Sequence, residues 1–140
     1  MLFDSQSFLT AQEAVYDQVV EELSEGRKTT HWIWFIFPQL TGLGRSERAK
    51  RFGISGIDEA RAYLQHPVLG LRLAQCTKLV VSHKDKALTQ MLGSVDAQKF
   101  HSCITLFHLA DPAAECFKKA LELFFQGSLD PGTLALLDTD

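Results

Sequence analysis

"IDEARAYLQHPVLGLRLAQCTKLVVS", Ile57 to Ser82, reads as two helices joined at one break. The first is predicted from about Ile57 to Gln65, and His66-Pro67 ends it, because the residue before a proline is pushed out of the helical region. Pro67 suits the first turn of the next helix, where its missing N–H has no partner to lose. That second helix is predicted to reach about Ser82. At about 100° per residue, Leu69, Leu73, Cys76, Leu79 and Val80 share one arc, a face for a core. Arg72 falls inside the same arc. An arginine there is either paired with a buried carboxylate or turned to a cleft, since burying it alone is very costly.

The same punctuation extends to both ends of the chain. Upstream, Thr10-Ala11-Gln12-Glu13 has the form of a capping box and Gly26 that of a C-terminal stop, with Ala11, Val15, Val19 and Leu23 at helical spacing between them. Ser46 is placed to cap a short basic helix ending near Phe52-Gly53. Downstream, Asp85 is expected to open a short helix that stops at Gly93, and a longer helix runs from about Ser94 to Leu109. Asp111-Pro112 and Asp130-Pro131 are cap-plus-first-turn pairs for the last two helices, with Gly127 between them. Strand alternation of convincing length is missing. The fold class is therefore all-α, a compact single-domain bundle of about seven or eight short helices over residues 1–140.

The 140-residue length and 46% hydrophobic content suit one globular domain with one core and one cleft. Its longest apolar run, Trp32 to Phe37, falls well short of the roughly 20 residues that span a bilayer. The start "MLFDSQSF" lacks a cationic and an apolar signal region, and three cysteines without C-x-x-C spacing fit a reducing compartment. A cytoplasmic location is expected. The net charge of −3 disfavours nucleic acid as a partner. Its distribution is uneven, with six acids and no base in residues 1–26, and Arg27, Lys28, Arg45, Arg48, Lys50 and Arg51 against Glu47 alone in residues 27–51. These are either ordinary solvated faces or an acidic helix followed by a patch for an anionic ligand.

Three places put polar groups where chemistry could use them. In the helix from Ser94, the apolar arc of Val95, Phe100, Cys103, Leu106 and Phe107 also holds Asp96, Lys99 and Ser102, while Gln98, His101, Thr105 and His108 occupy the other side. Asp96 and Lys99 are three apart, so they form either an internal ion pair or the acid–base floor of a pocket. The loop "TGLGRSER", Thr41 to Arg48, has Gly42 and Gly44 for positive φ and Ser46 at a helix start, either a plain turn or a cradle for a phosphate. Arg45 and Arg48 add charge. Finally, "HWIWFIFPQL", His31 to Leu40, is too rich in aromatics for one helix face, so its rings must pack in several directions. Trp32 and Phe37 are expected in the core, and other indole or phenyl faces are stacking partners for a ring or a sugar. The histidines show no metal-ligand spacing, and no cofactor motif occurs.

"HWIWFIFPQLTGLGRS", "AYLQHPVLGLRL" and "DAQKFHSCITLF" resemble the bacterial domain-of-unknown-function family 1810, whose members are often labelled "calpastatin", a name these residues do not support. The likeness runs from Phe8 to Leu137. It implies a compact, mainly α-helical domain and no established reaction. The family's His-Trp-Met-Trp stands here as His31-Trp32-Ile33-Trp34. In its third motif, usually Lys-Leu-Arg-Ser-Ser-Met-Thr-Leu-Phe, Lys99, Ser102, Thr105, Leu106 and Phe107 match, whereas His101 replaces the arginine and Cys103 the second serine.

The function expected from these residues is a pocket for an anionic small molecule of nucleotide, ADP-ribose or sugar-phosphate type, with hydrolysis as its chemistry. Asp96 and Lys99 are the catalytic candidates; the ligand-binding candidates are His31, Trp32, Trp34, Gln39, Gly42, Gly44, Arg45, Ser46, Arg72 and Ser102. A pocket joining Trp34, Arg72 and Lys99 would favour this reading. The alternative is a non-catalytic interaction module that docks a protein partner on the acidic first helix or the basic 45–51 helix.

Overall fold

The chain is organised around one long helix near its C-terminal end. The computed structural model describes residues 4–138, and among these it contains ten helices and no strand. In chain order they are α1 (Ser5–Glu13), α2 (Tyr16–Glu25), α3 (Ile33–Ile36), α4 (Glu47–Arg51), α5 (Ile57–Gln65), α6 (Leu69–Val81), α7 (Leu88–Leu92), α8 (Ser94–Ala110), α9 (Glu115–Phe125) and α10 (Pro131–Asp138). The fold is all-α, and seven of the helices have seven or more residues. A lone parallel bridge joins Leu40 to Ile54, with Thr41 N–H donating to the Ile54 carbonyl at 2.9 Å and Ile54 N–H to that of Gln39 at 2.9 Å. This bridge holds the segment after the aromatic run against the end of α4. No helix among the described residues is long and apolar enough to cross a membrane.

Helix α8 packs against α3, α5, α7, α9 and α10. Phe100, Cys103, Ile104, Thr105, Leu106 and Phe107 are all fully buried, and on the other side Gln98 is exposed and His101 and His108 partly so. The two-sided reading of the helix holds at Gln98, His101 and His108 and fails at Thr105 and Val95. Thr105, assigned to its polar side, is buried and its hydroxyl accepts from Asp130 N–H at 3.0 Å. Val95, assigned to the apolar arc, lies before the enclosed stretch and is 66% exposed. Aromatic side chains knit the centre together: the rings of Phe37 and Phe100 meet edge-on at 4.9 Å, and those of Phe8 and Tyr63 at 5.2 Å.

The helix junctions are partly as expected. Gly26 ends α2 in the left-handed region at φ +72°, Ser46 caps α4, and the break at His66-Pro67 separates α5 from α6. The single helix expected from Thr10 to Gly26 is broken at Ala14-Val15 into α1 and α2, and three starts differ. Thr10 lies inside α1, whose cap is Asp4, accepting from Ser7 N–H at 3.2 Å. Gln12 and Glu13 are drawn into tertiary contacts instead of a capping box: Gln12 donates to the Phe35 carbonyl at 2.7 Å, and Glu13 pairs with Arg72 at 2.8 Å. Helix α7 begins at Leu88 rather than at Asp85, after a turn in which Lys86 N–H donates to the His83 carbonyl. Helix α9 begins at Glu115, because residues 111–114 close their own turn through Ala114 N–H to the Asp111 carbonyl.

Candidate functional site

The aromatic segment is fixed from behind by a buried carboxylate. Glu22, on α2, accepts hydrogen bonds from Thr29 and Thr30 N–H, from the Thr30 hydroxyl, from the Gln18 amide and from the indole N–H of Trp32 at 3.0 Å. Burial alone would raise its pKa, but these donors prevail and lower it to about 2. Trp32 is fully buried, as are Ile33, Ile36 and Phe37, while Trp34 and Phe35 are half-buried. The rings of "HWIWFIF" thus point both inward and outward, as their number required.

A chain of charges leads from this loop to α8. The Lys28 ammonium, 5% exposed as a side chain, donates to Asp96 Oδ2 at 2.7 Å and to the Thr30 carbonyl at 2.6 Å, and lies 4.9 Å from the centre of the Trp32 indole. Asp96 therefore has Lys28 as its close partner. Lys99 stands 3.9 Å from Asp96 Oδ1, too long for a good hydrogen bond, and its ammonium lies 5.1 Å from the centre of the Trp34 ring. The guanidinium of Arg48, reaching from α4, lies 4.9 Å from that same ring. The two indole N–H groups have opposite fates: that of Trp32 is bonded to Glu22, and that of Trp34 is buried with no partner among the described residues.

Lys99 opens onto a cleft of about 610 Å³ between the 39–44 segment, the first turns of α8 and the start of α10. Gln39, Gly44, Lys99, Ser102, Asp130 and Gly132 are among the residues that line it. Asp130 is a site residue that the sequence reading recognised only as a helix cap. Its carboxylate accepts from Ser102 Oγ at 3.0 Å, Gln98 Nε2 at 2.8 Å, and Thr133 N–H and Oγ1 at 3.0 and 2.7 Å. Burial pushes its pKa up, but the hydrogen bonds from Thr133, Ser102 and Gln98 outweigh that and hold it below the ordinary carboxylate value. A carboxylate so engaged is a rigid wall of the cleft. The spacing of Gln98 and Ser102, four apart on one helix, was the available signal that they share a partner.

The expected residues divide into three groups. Gln39, Gly44, Lys99 and Ser102 meet in the cleft, with Trp34 beside Lys99 and Asp96 behind it. His31 and Arg45 are exposed and do not line the cleft. Trp32 and Arg72 belong to other surroundings: Trp32 is enclosed in the core, and Arg72 turns to α1, bonding Gln12 and Glu13 at 3.3 and 2.8 Å and covering the Tyr16 ring at 4.5 Å. A pocket joining Trp34, Arg72 and Lys99 is therefore not formed. In the glycine loop, Gly42 adopts positive φ at +102°, but Gly44 does not. Gly44 is needed for close approach, since a Cβ there would lie 2.5 Å from that of Ala49. The Ser46 hydroxyl accepts from Ala49 N–H at 3.1 Å, which makes the loop a turn with its own cap.

Burial raises the thiol pKa of Cys76 to about 11 and pushes up those of Cys103 and Cys116, so no cysteine offers a ready thiolate. Over residues 2–137 the chain matches the family model described as "Protein of unknown function (DUF1810)". It is similar to the conserved hypothetical protein Rv1873 from Mycobacterium tuberculosis, whose crystal structure is 47% identical in sequence over 97% of each chain, with a TM-score of 0.95. No curated protein matches it.

Proposed function

The chain belongs to the DUF1810 family of proteins of unknown function, and from its own cleft we propose that it binds a small anionic molecule of the nucleotide, ADP-ribose or sugar-phosphate type. The observation that carries this reading is the position of Lys99. Lys99 lines the cleft, and the nearby carboxylate, Asp96, is engaged by Lys28 at 2.7 Å and stands 3.9 Å from Lys99. Asp96 is engaged mainly by Lys28, so Lys99 is left without a close carboxylate partner, while the Asp130 carboxylate on the facing wall is taken up by its own hydrogen bonds. The Gln39 and Gln98 amides and the Ser102 hydroxyl add polar groups suited to the hydroxyls of a sugar. Asp96 acts in this reading as a positioning residue: it holds Lys28.

Thermal unfolding in the presence of nucleotides, ADP-ribose and sugar phosphates tests the proposal. A ligand at about 100 times its Kd adds about 2.7 kcal/mol, a shift of several degrees for a chain of this size. The parent protein is expected to show such a shift and Lys99→Met to lose it while remaining folded. A shift of equal size in Lys99→Met would remove the cleft from the account.

A further inference from the structure

The two tryptophans of "HWIW" differ in one respect that the cleft alone does not explain. Trp32 donates its N–H to Glu22, whereas Trp34, two residues on, keeps its N–H buried and unpartnered. Buried donors are almost always satisfied, so one that is not calls for a reason, and an absent ligand atom is among the usual ones. The surroundings of the Trp34 ring supply it. Arg48 and Lys99, from two different helices, both place their positive groups about 5 Å from the ring centre. Like charges on one ring repel each other. Arg48 also lines a second cleft of about 510 Å³, with Phe35 and Phe52, while Lys99 lines the cleft described above, so the two cations that meet at the Trp34 ring come from the linings of different clefts.

We propose that Trp34, Arg48 and Lys99 form an oxoanion subsite, in which the two cations leave the indole to grip a phosphate group and uncover the N–H that completes its coordination. This rests on the cleft reading and extends it to the neighbouring cleft. Arg48 is exposed and Lys99 is 25% exposed as a side chain, so both have the freedom to move. What they give up is a cation–π contact at the surface; what they gain is a charge-assisted hydrogen bond, which is stronger. A guanidinium fork, an ammonium and an indole N–H are all donors without an acceptor, a set suited to a tetrahedral oxoanion. The phosphate is either the inorganic ion or the phosphate of a larger molecule.

The chain has two tryptophans, so its ¹H–¹⁵N spectrum contains two indole signals, which the Trp34→Phe variant assigns. Inorganic phosphate and ribose 5-phosphate are titrated separately. The expected result is a saturable downfield movement of the Trp34 indole proton while that of Trp32 stays in place, with binding weakened at least about tenfold in Arg48→Met and in Lys99→Met, on the scale of a lost charged hydrogen bond. Ribose 5-phosphate binding more tightly identifies the phosphate of a larger molecule, and equal binding identifies the inorganic ion. If either probe stabilises the protein through Lys99 while the Trp34 proton does not move, the subsite is wrong and the cleft reading stands. If neither probe changes the spectrum or the thermal stability, the subsite is wrong and the cleft reading loses its phosphate ligands as well.

Discussion

Glu22 shows what one buried carboxylate can do at the scale of a residue. It gathers five donors and so fixes the path of residues 29–32, on which the placement of both tryptophans depends. Its folded-state pKa of about 2 lies below the ordinary value of 4.5, so its contribution is complete above that value and is lost as pH falls towards 2. The contribution is on the order of 3 kcal/mol. Urea unfolding between pH 5 and 2 is expected to show this loss in the parent and a flatter profile in Glu22→Gln, which also begins less stable. Gly44 gives a second prediction at this scale. Gly44→Ala should cost about 1–3 kcal/mol through overpacking against Ala49, with chemical denaturation as the measure. The sequence places the glycine correctly but assigns it the wrong reason, because close approach to a helix five residues away leaves no local trace.

Among the elements, the junction of α5 and α6 was the most legible, because its signals are local. His66 Nδ1 accepts from Val68 and Leu69 N–H at 3.2 Å each, so the residue that ends one helix also caps the next. Gly70 lets α6 pass close to α5: a Cβ there would collide with the Leu64 carbonyl. Gly70→Ala is therefore expected to destabilise by about 1–3 kcal/mol, although alanine is the better helix former by about 1 kcal/mol. A gain in thermal stability would show that the two backbones can separate freely. The start of α1 was illegible for the converse reason. Gln12 and Glu13 have a capping-box spacing, yet the Phe35 carbonyl and Arg72, far along the chain, claim them. Helix α8 defeated wheel arithmetic in part, because five neighbouring helices pack on it and leave only a narrow polar side at Gln98, His101 and His108, with Thr105 enclosed.

At the scale of the whole molecule, the all-α class could be read from caps and breaks alone, while the site could be read only in part. Lys99, Ser102, Gln39 and Gly44 line one cleft, and Lys28, from a loop whose basic residues looked like solvated charge, pairs with Asp96 next to it. The account turns on that lysine: Lys28, rather than Lys99, neutralises Asp96, and Lys99 is thereby left for the cleft. A double-mutant cycle by urea unfolding over Lys28→Met, Asp96→Leu and Lys99→Met measures this directly. The account predicts that Lys28→Met and Asp96→Leu each cost about 3–5 kcal/mol, that their combination recovers much of the loss, and that Lys99→Met costs little and couples weakly to Asp96→Leu. Strong coupling between Asp96 and Lys99, with weak coupling between Asp96 and Lys28, would contradict it.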